Sequence, residues 1–295
     1  MNIILLTIDC LRADHVGCLG YPRPTTSYID RLAEGAGVVF RQAVANGPKT
    51  LASFPSILAS VYPLWQGPSA RLSVGRRTLA EALGQAGYTT VAYHSNPYLS
   101  REYGYDRGFH AFDDTLKDVS RGAVAARRVR SFIPKNSPIY RVLRRVNRLM
   151  NVKSLAPPFV SGDVITDRGL KWLSRADGRL FLWLHYMDAH YPYVPPREYV
   201  EPFVGQYPSA RNQARIFAAM LEEPNAITTE EIELLVGLYD AQICHVDACA
   251  GRIIDAVWER GLHDQTVIAV TSDHGEEFRE HGDFSHATSL HSRRS

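Results

Sequence analysis

Ile3-Ile4-Leu5-Leu6-Thr7-Ile8-Asp9 is an unbroken apolar run that ends on a carboxylate. Apolar runs without alternation mark strands buried on both faces, as in a parallel sheet. Three more occur, at Thr89 to Tyr93, Leu180 to Leu184 and Thr266 to Val270. Helical stretches separate them. Thr78 to Ala86 reads as one, closed by Gly87. Thr229 to Arg260 reads as a longer one, with Thr228 or Thr229 as N-cap, Glu231 following and Gly261 at its end. Strands alternating with helices predict an α/β layered fold, a mostly parallel central sheet flanked by helices.

Ligands of such sheets gather at the carboxyl ends of the strands. The residues just past the four runs are Asp9-Cys10, His94-Ser95-Asn96, His185 to His190 and Ser272-Asp273-His274. Four strand ends therefore deliver metal- or proton-competent side chains, which implies one shared site. Asp9, Asp273 and His274 are the expected ligands of a divalent ion, because carboxylate oxygens suit hard cations and imidazole suits zinc or manganese. Gly275 lets the backbone turn sharply beside them.

A bound divalent ion can activate an oxygen nucleophile beside it. Gly47-Pro48-Lys49-Thr50 reads as a loop, and Ile57 to Ser60 reads as the start of a helix. A hydroxyl at a helix N-terminus sits at the positive end of the dipole, where oxyanions bind. Thr50, Ser53 and Ser56 compete for the role, and a helix-capping Ser53 is the plain alternative.

The 295 residues carry a net charge of +2, with 45% hydrophobic and 22% charged residues, so no global field attracts polyanions. The four cysteines, Cys10, Cys18, Cys244 and Cys249, show no CxxC spacing and form no disulfide framework. Residues 1 to 8 lack a basic leader and a cleavage site, and no apolar run approaches the ~18 residues of a membrane span. The expectation is a cytoplasmic chain. Lys117 to Lys153 holds eleven basic residues and one acid. It reads as an amphipathic basic insertion, either a solvated helix on the body or a lid or patch for an acidic surface. It lacks the interleaved aromatics of a nucleic-acid platform, so no nucleic-acid partner is expected.

Val267-Ile268-Ala269-Val270-Thr271-Ser272-Asp273-His274-Gly275-Glu276, with Glu280-His281-Gly282, resembles the C-terminal metal motif of sulfatases. Leu5-Leu6-Thr7-Ile8-Asp9-Cys10-Leu11-Arg12-Ala13-Asp14 resembles their N-terminal metal strand. Asp188-Ala189-His190-Tyr191-Pro192-Tyr193 resembles a further sulfatase signature. The resemblance covers nearly the whole chain apart from the basic insertion. It implies an alkaline-phosphatase-like fold and one divalent ion on Asp9, Asp273 and His274, calcium by family, with manganese and zinc open. Many sulfatases have a second acid where Cys10 stands. Cys10 either ligates a softer ion or packs beside the strand, and sulfur gains a hard ion such as calcium little.

Sulfatases carry Cys or Ser, any residue, Pro, any residue, Arg, and convert the first residue to formylglycine. Ser53 and Pro55 match that pattern, and Ile57 stands in the place of the Arg. Nucleotide pyrophosphatases and phosphodiesterases use an unmodified Thr before Phe-Pro, which Ser53-Phe54-Pro55 also resembles. The resemblance thus makes Ser53 the nucleophile, and the missing Arg argues against formylglycine there. It makes His190 the histidine facing the ester and His286 a substrate contact, with Asn96 near another contact region. His185 and His281 read as structural or surface histidines, and His245 as packing within the long helix. The expected organisation is one sulfatase-like catalytic domain over 1–295 with the basic insertion at about 117–153. Beyond His286 the family continues into a C-terminal subdomain, which is expected to be absent. The implied activity is metal-dependent hydrolysis of small sulfate esters. The alternatives are a phosphomonoesterase or phosphodiesterase on the same scaffold, and a shortened remnant that only binds.

Overall fold

The computed structural model describes residues 1–35, 37–63, 71–73, 75–115 and 157–286. β1 (Asn2–Ile8), β2 (Thr89–Tyr93), β3 (Ala111–Asp113), β4 (Leu180–Tyr186) and β5 (Thr266–Ser272) form one sheet in the order β3-β2-β4-β1-β5. Every pairing is parallel, and β1 lies between β4 and β5 with Leu6 opposite Leu184 on one side and Val270 on the other. The four apolar runs of the sequence are four of these strands. Alternate residues of a strand point to opposite faces. Ile4, Leu6, Ile8, Leu182 and Leu184 accordingly enter one core, while Leu5, Phe181 and Trp183 enter the other. Covering both faces is what requires the apolar run to be continuous.

β5 departs from that expectation. It ends the sheet, and Val267, Ala269 and Thr271 are exposed while Ile268 and Val270 are half-buried. A strand at this edge is covered on one face only, among the described residues. β3 has three residues, too few to carry a periodic signal in sequence.

The longer helices among the described residues are α1 (Ser27–Glu34), α2 (Thr50–Ala59), α3 (Leu79–Gln85), α4 (Gly162–Arg175), α5 (Ala210–Glu222) and α6 (Thr229–Glu259). Thr78 with Glu81, and Thr228 with Glu231, form reciprocal capping boxes that start α3 and α6. Gly87 and Gly261 follow their ends at φ 85° and 64°. α6 buries Leu235, Ile243, Val246 and Ile253 against the first core. α2 begins seven residues before the helix start read from Ile57, and Pro55 lies inside it. That proline forfeits only the bond to the Leu51 carbonyl one turn back, so the helix continues through it.

α1 meets α6 where Gly251 has no side chain. A Cβ there would lie 2.2 Å from the Tyr28 ring. Gly251→Ala is expected to destabilise the chain by about 1–3 kcal/mol through overpacking, read as a lower urea midpoint at unchanged m-value.

Among the described residues no helix is long and apolar enough to cross a membrane. The basic stretch of 117–153 and the final residues 287–295 lie outside the described residues.

Candidate metal and ester site

The register of β1 against β5 sets Ile8 opposite Ser272, so Asp9 and Asp273 leave the sheet side by side. Both are buried, as are Cys10 and His274. His274 Nε2 lies 3.4 Å from Asp273 Oδ2 and 3.6 Å from Asp9 Oδ1. The side chains predicted to share an ion therefore converge on one side of the sheet.

Their other contacts orient them. Cys10 N and His274 N donate to Asp273 Oδ1 at 3.3 and 3.0 Å. Asp273 Oδ2 is buried without a hydrogen-bond partner among the described residues. Asn96 Nδ2 donates to Asp9 Oδ2 at 3.0 Å. His185 Nδ1 sits 2.9 Å from Thr7 Oγ1, and its Nε2 comes within 3.3 Å of Asp9 Oδ2, at ion-pair distance but outside hydrogen-bond alignment.

Charge follows from this packing. Burial pushes the Asp273 carboxyl up, and the neighbouring Asp9 charge adds to it. Burial alone would also raise Asp9, but His185, His190 and His274 outweigh it and hold Asp9 well below the carboxylate range. Burial opposes charge on His274, and Asp273 with Asp9 reverses that and raises it. Two buried carboxylates, an imidazole and an orphaned carboxylate oxygen form a donor set that fits a divalent cation. Cys10 belongs to the same cluster rather than to the strand packing. It has φ 62°, and its Sγ lies 3.1 Å from Asp9 Oδ1 and 3.6 Å from His286 Nδ1. Burial, followed by the charges of Glu276 and Asp9, pushes its thiol up.

The hydroxyl that reaches this cluster is that of Thr50. Its Oγ1 lies 3.5 Å from both Asp9 Oδ2 and His274 Nε2. Thr50 is the first residue of α2, and the Ala52 and Ser53 amides already donate to the Lys49 carbonyl. Ser53, chosen from the sequence, is also buried, but its Oγ donates to the Gly47 carbonyl at 2.9 Å. Ser56 Oγ donates to the Val61 carbonyl at 2.8 Å. Because α2 starts at Thr50, Ser53 sits one turn deeper, about 4.5 Å along the axis. The geometry thus replaces Ser53 with Thr50 as the hydroxyl beside the carboxylates.

His190 and His286 flank the cluster on its half-buried side, ring centroids 5.1 Å apart. His286 Nδ1 is 3.1 Å from Glu276 Oε1, and its ring lies 4.4 Å from that of His274. His190 Nδ1 engages the Tyr191 carbonyl. Asn96, expected to meet substrate, is 2% exposed and holds Asp9 and the Tyr98 amide instead. His281 pairs with Glu277 at the surface. The reading of His185 as structural missed its approach to Asp9, and Glu276 was not singled out. His185 directly follows the run Leu180 to Leu184, but β4 extends through it, and that position does not show which carboxylate it approaches. Glu276 shows its role only through His286, ten residues later.

A parallel sheet of this order, with carboxylates and imidazoles gathered past β1 and β5, defines an alkaline-phosphatase-like α/β hydrolase fold. The phosphonate monoester hydrolase of Agrobacterium radiobacter shares it with a TM-score of 0.70 at 19% identity, over 99% of this chain and 65% of that one. The chain belongs to the sulfatase family, whose sequence model matches residues 1–294. It is 23% identical over 303 residues to the uncharacterized sulfatase YidJ of Escherichia coli (strain K12), covering 93% of this chain and 57% of that protein. It is 25% identical over 303 residues to arylsulfatase A of Homo sapiens, covering 94% of this chain and 52% of that protein. The chain thus spans little more than half the length of these curated relatives. Sulfatase-family proteins generally bind a divalent metal, which the donor set described above suits.

Proposed function

We propose that the chain cleaves small phosphate esters, with Thr50 as the nucleophile and a divalent ion on Asp9, Asp273 and His274. The observation that carries this reading is Thr50 Oγ1 at 3.5 Å from Asp9 and His274, at the start of α2. The ion itself would favour the alkoxide of Thr50 and neutralise charge on a non-bridging ester oxygen. Two carboxylates and one imidazole are too few oxygen donors for calcium and suit manganese or zinc better.

Thr50 Oγ1, its proton lost to solvent, attacks phosphorus in line, and the bond to the leaving oxygen breaks. His190 or His286 protonates the departing alkoxide through Nε2, since Nδ1 of each is engaged elsewhere. The opening amides of α2 donate toward the ester oxygens. Asn96 and His185 position Asp9. Water then attacks the Thr50 phosphoester, which releases phosphate and restores the hydroxyl.

A threonine nucleophile favours phosphorus over sulfur. Formylglycine hydrate carries a second hydroxyl, so its sulfate ester can collapse to the aldehyde. Threonine has one hydroxyl, and its ester must be opened by water, a step phosphate chemistry accommodates. Sulfate-ester hydrolysis is the second reading, favoured by membership of the sulfatase family. Matched aryl phosphate and aryl sulfate substrates separate the two. The expected kcat/KM for phosphate exceeds that for sulfate by more than tenfold, about 1.4 kcal/mol at the transition state. A faster sulfate reaction would establish the second reading instead.

A further inference from the structure

A second cluster of ligand-type side chains lies apart from this site, between α4 and α6. His245 and Cys249 are four residues apart on α6 and so share a face, and Asp163 comes from the first turn of α4. His245 Nε2 is 2.9 Å from Asp163 Oδ2 and 3.7 Å from Cys249 Sγ. Cys249 Sγ is 3.8 Å from Asp163 Oδ1. Tetrahedral zinc, with bonds of about 2.0–2.3 Å, spaces neighbouring ligand atoms by about 3.3–3.8 Å. The nitrogen–sulfur and sulfur–oxygen spacings already match. The shorter nitrogen–oxygen spacing opens by rotation of Asp163, whose side chain is 54% exposed.

Two independent observations point to a ligand here. His245 Nδ1 faces Asp188 Oδ1 at 3.3 Å, the outer carboxylate that orients a metal-binding imidazole. Asp188 is 6% exposed, and its Oδ2 has no hydrogen-bond partner among the described residues. Gly162 lets the α4 backbone pack directly against both groups, since a Cβ there would lie 2.9 Å from Asp188 Oδ2 and 3.2 Å from Cys249 Sγ. Arg252 shares Asp163 Oδ1 at 3.3 Å and also pairs with Asp167, a partner it keeps if Asp163 turns to an ion. Cys249, His245 and Asp188 also stand in the order of a nucleophile, base and carboxylate. The thiol is only 1% exposed, however, and no substrate carbon or phosphorus reaches it.

We propose that Asp163, His245 and Cys249 bind a second divalent ion of zinc type, with the Asp188 carboxylate at ion-pair distance behind His245. The ion ties α4 and α6 to the turn after β4, two residues before His190, and so holds that histidine's backbone in place. The site stands whether or not the ester-hydrolase reading does.

The chelator-stripped chain, loaded with Zn²⁺ or Co²⁺ and freed of excess metal, tests this. Wild type is expected to hold two ions per chain, with a thiolate-to-cobalt charge-transfer band in the near ultraviolet. Cys249→Ser and Asp163→Asn should each hold one fewer, with Zn²⁺ bound more than about 100-fold more weakly at this site, beyond the 10–100-fold typical of losing an outer partner. The band should vanish in Cys249→Ser and persist in Cys10→Ala and Asp273→Asn. Asp163 is half-exposed, so its variant keeps the fold even if the buried Cys249→Ser does not. Equal metal content in wild type and Asp163→Asn overturns the site and leaves plain ion pairs. A band that vanishes only in Cys10→Ala overturns it too. Retention of the active-site ion in Asp273→Asn counts against the ester-hydrolase reading and not against this one.

Discussion

Thr50→Ala is expected to remove turnover while leaving a folded chain that still binds its metal. Deleting a covalent nucleophile costs on the order of 10⁴-fold or more in rate, far beyond any packing change at one methyl group. Thr50 is buried at the start of α2, and its hydroxyl makes only 3.5 Å contacts with Asp9 and His274. Removing it leaves no strong hydrogen bond unmet. Ser53→Ala provides the contrast. It deletes the 2.9 Å bond to the Gly47 carbonyl and should cost about 1 kcal/mol of stability with turnover close to wild type. Thr50→Ser keeps an attacking oxygen and should retain most of the activity. Single-turnover hydrolysis of an aryl phosphate, with thermal melts to confirm folding, reads all three. Loss of activity in Ser53→Ala with activity kept in Thr50→Ala would return the role to Ser53.

The exchange of Ser53 for Thr50 shows where sequence runs out. Strand ends were legible because Asp9 and Asp273 each follow a continuous apolar strand, although β5 is covered on one face only. Their convergence then required only that β1 and β5 be neighbours. The start of α2 had no comparable signal. Lys49 precedes it without a side-chain cap, and Pro55 within it looks like a first-turn proline. The resemblance pointed to Ser53, and only the observed start of α2 brings the Thr50 hydroxyl, three residues earlier, beside Asp9 and His274. Asn96 was found but given another task, because a side chain's partner depends on a loop's path rather than on its residue type. His185 and the cluster of Asp163, His245 and Cys249 join residues far apart in the chain, and α6 read alone shows only a buried helix.

Asp273→Asn separates the metal's contribution from that of the fold. Asp273 Oδ1 accepts from the Cys10 and His274 amides, while Oδ2 has no donor among the described residues. Asparagine keeps the accepting oxygen and replaces the bare one with an amide that cannot bind a cation. In the metal-free chain the substitution also removes a buried negative charge beside Asp9. The variant should therefore melt at or above wild type in chelator. Adding Mn²⁺, which prefers oxygen to thiolate, reverses the order. At a hundred times its Kd a bound ion stabilises the folded state by about 2.7 kcal/mol, which raises the melting midpoint by roughly 5–10 °C in a chain of this size. Wild type should show that rise, and Asp273→Asn should show almost none and no turnover. Equal rises in both would place the ion elsewhere. A variant that melts far below wild type without metal would mean that Asp9 and Asp273 are held apart by their neighbours and need no cation between them. The two melts thus measure whether the paired carboxylates are a cost that the metal offsets, which is the physical reason to leave Asp273 Oδ2 without a donor in a buried site.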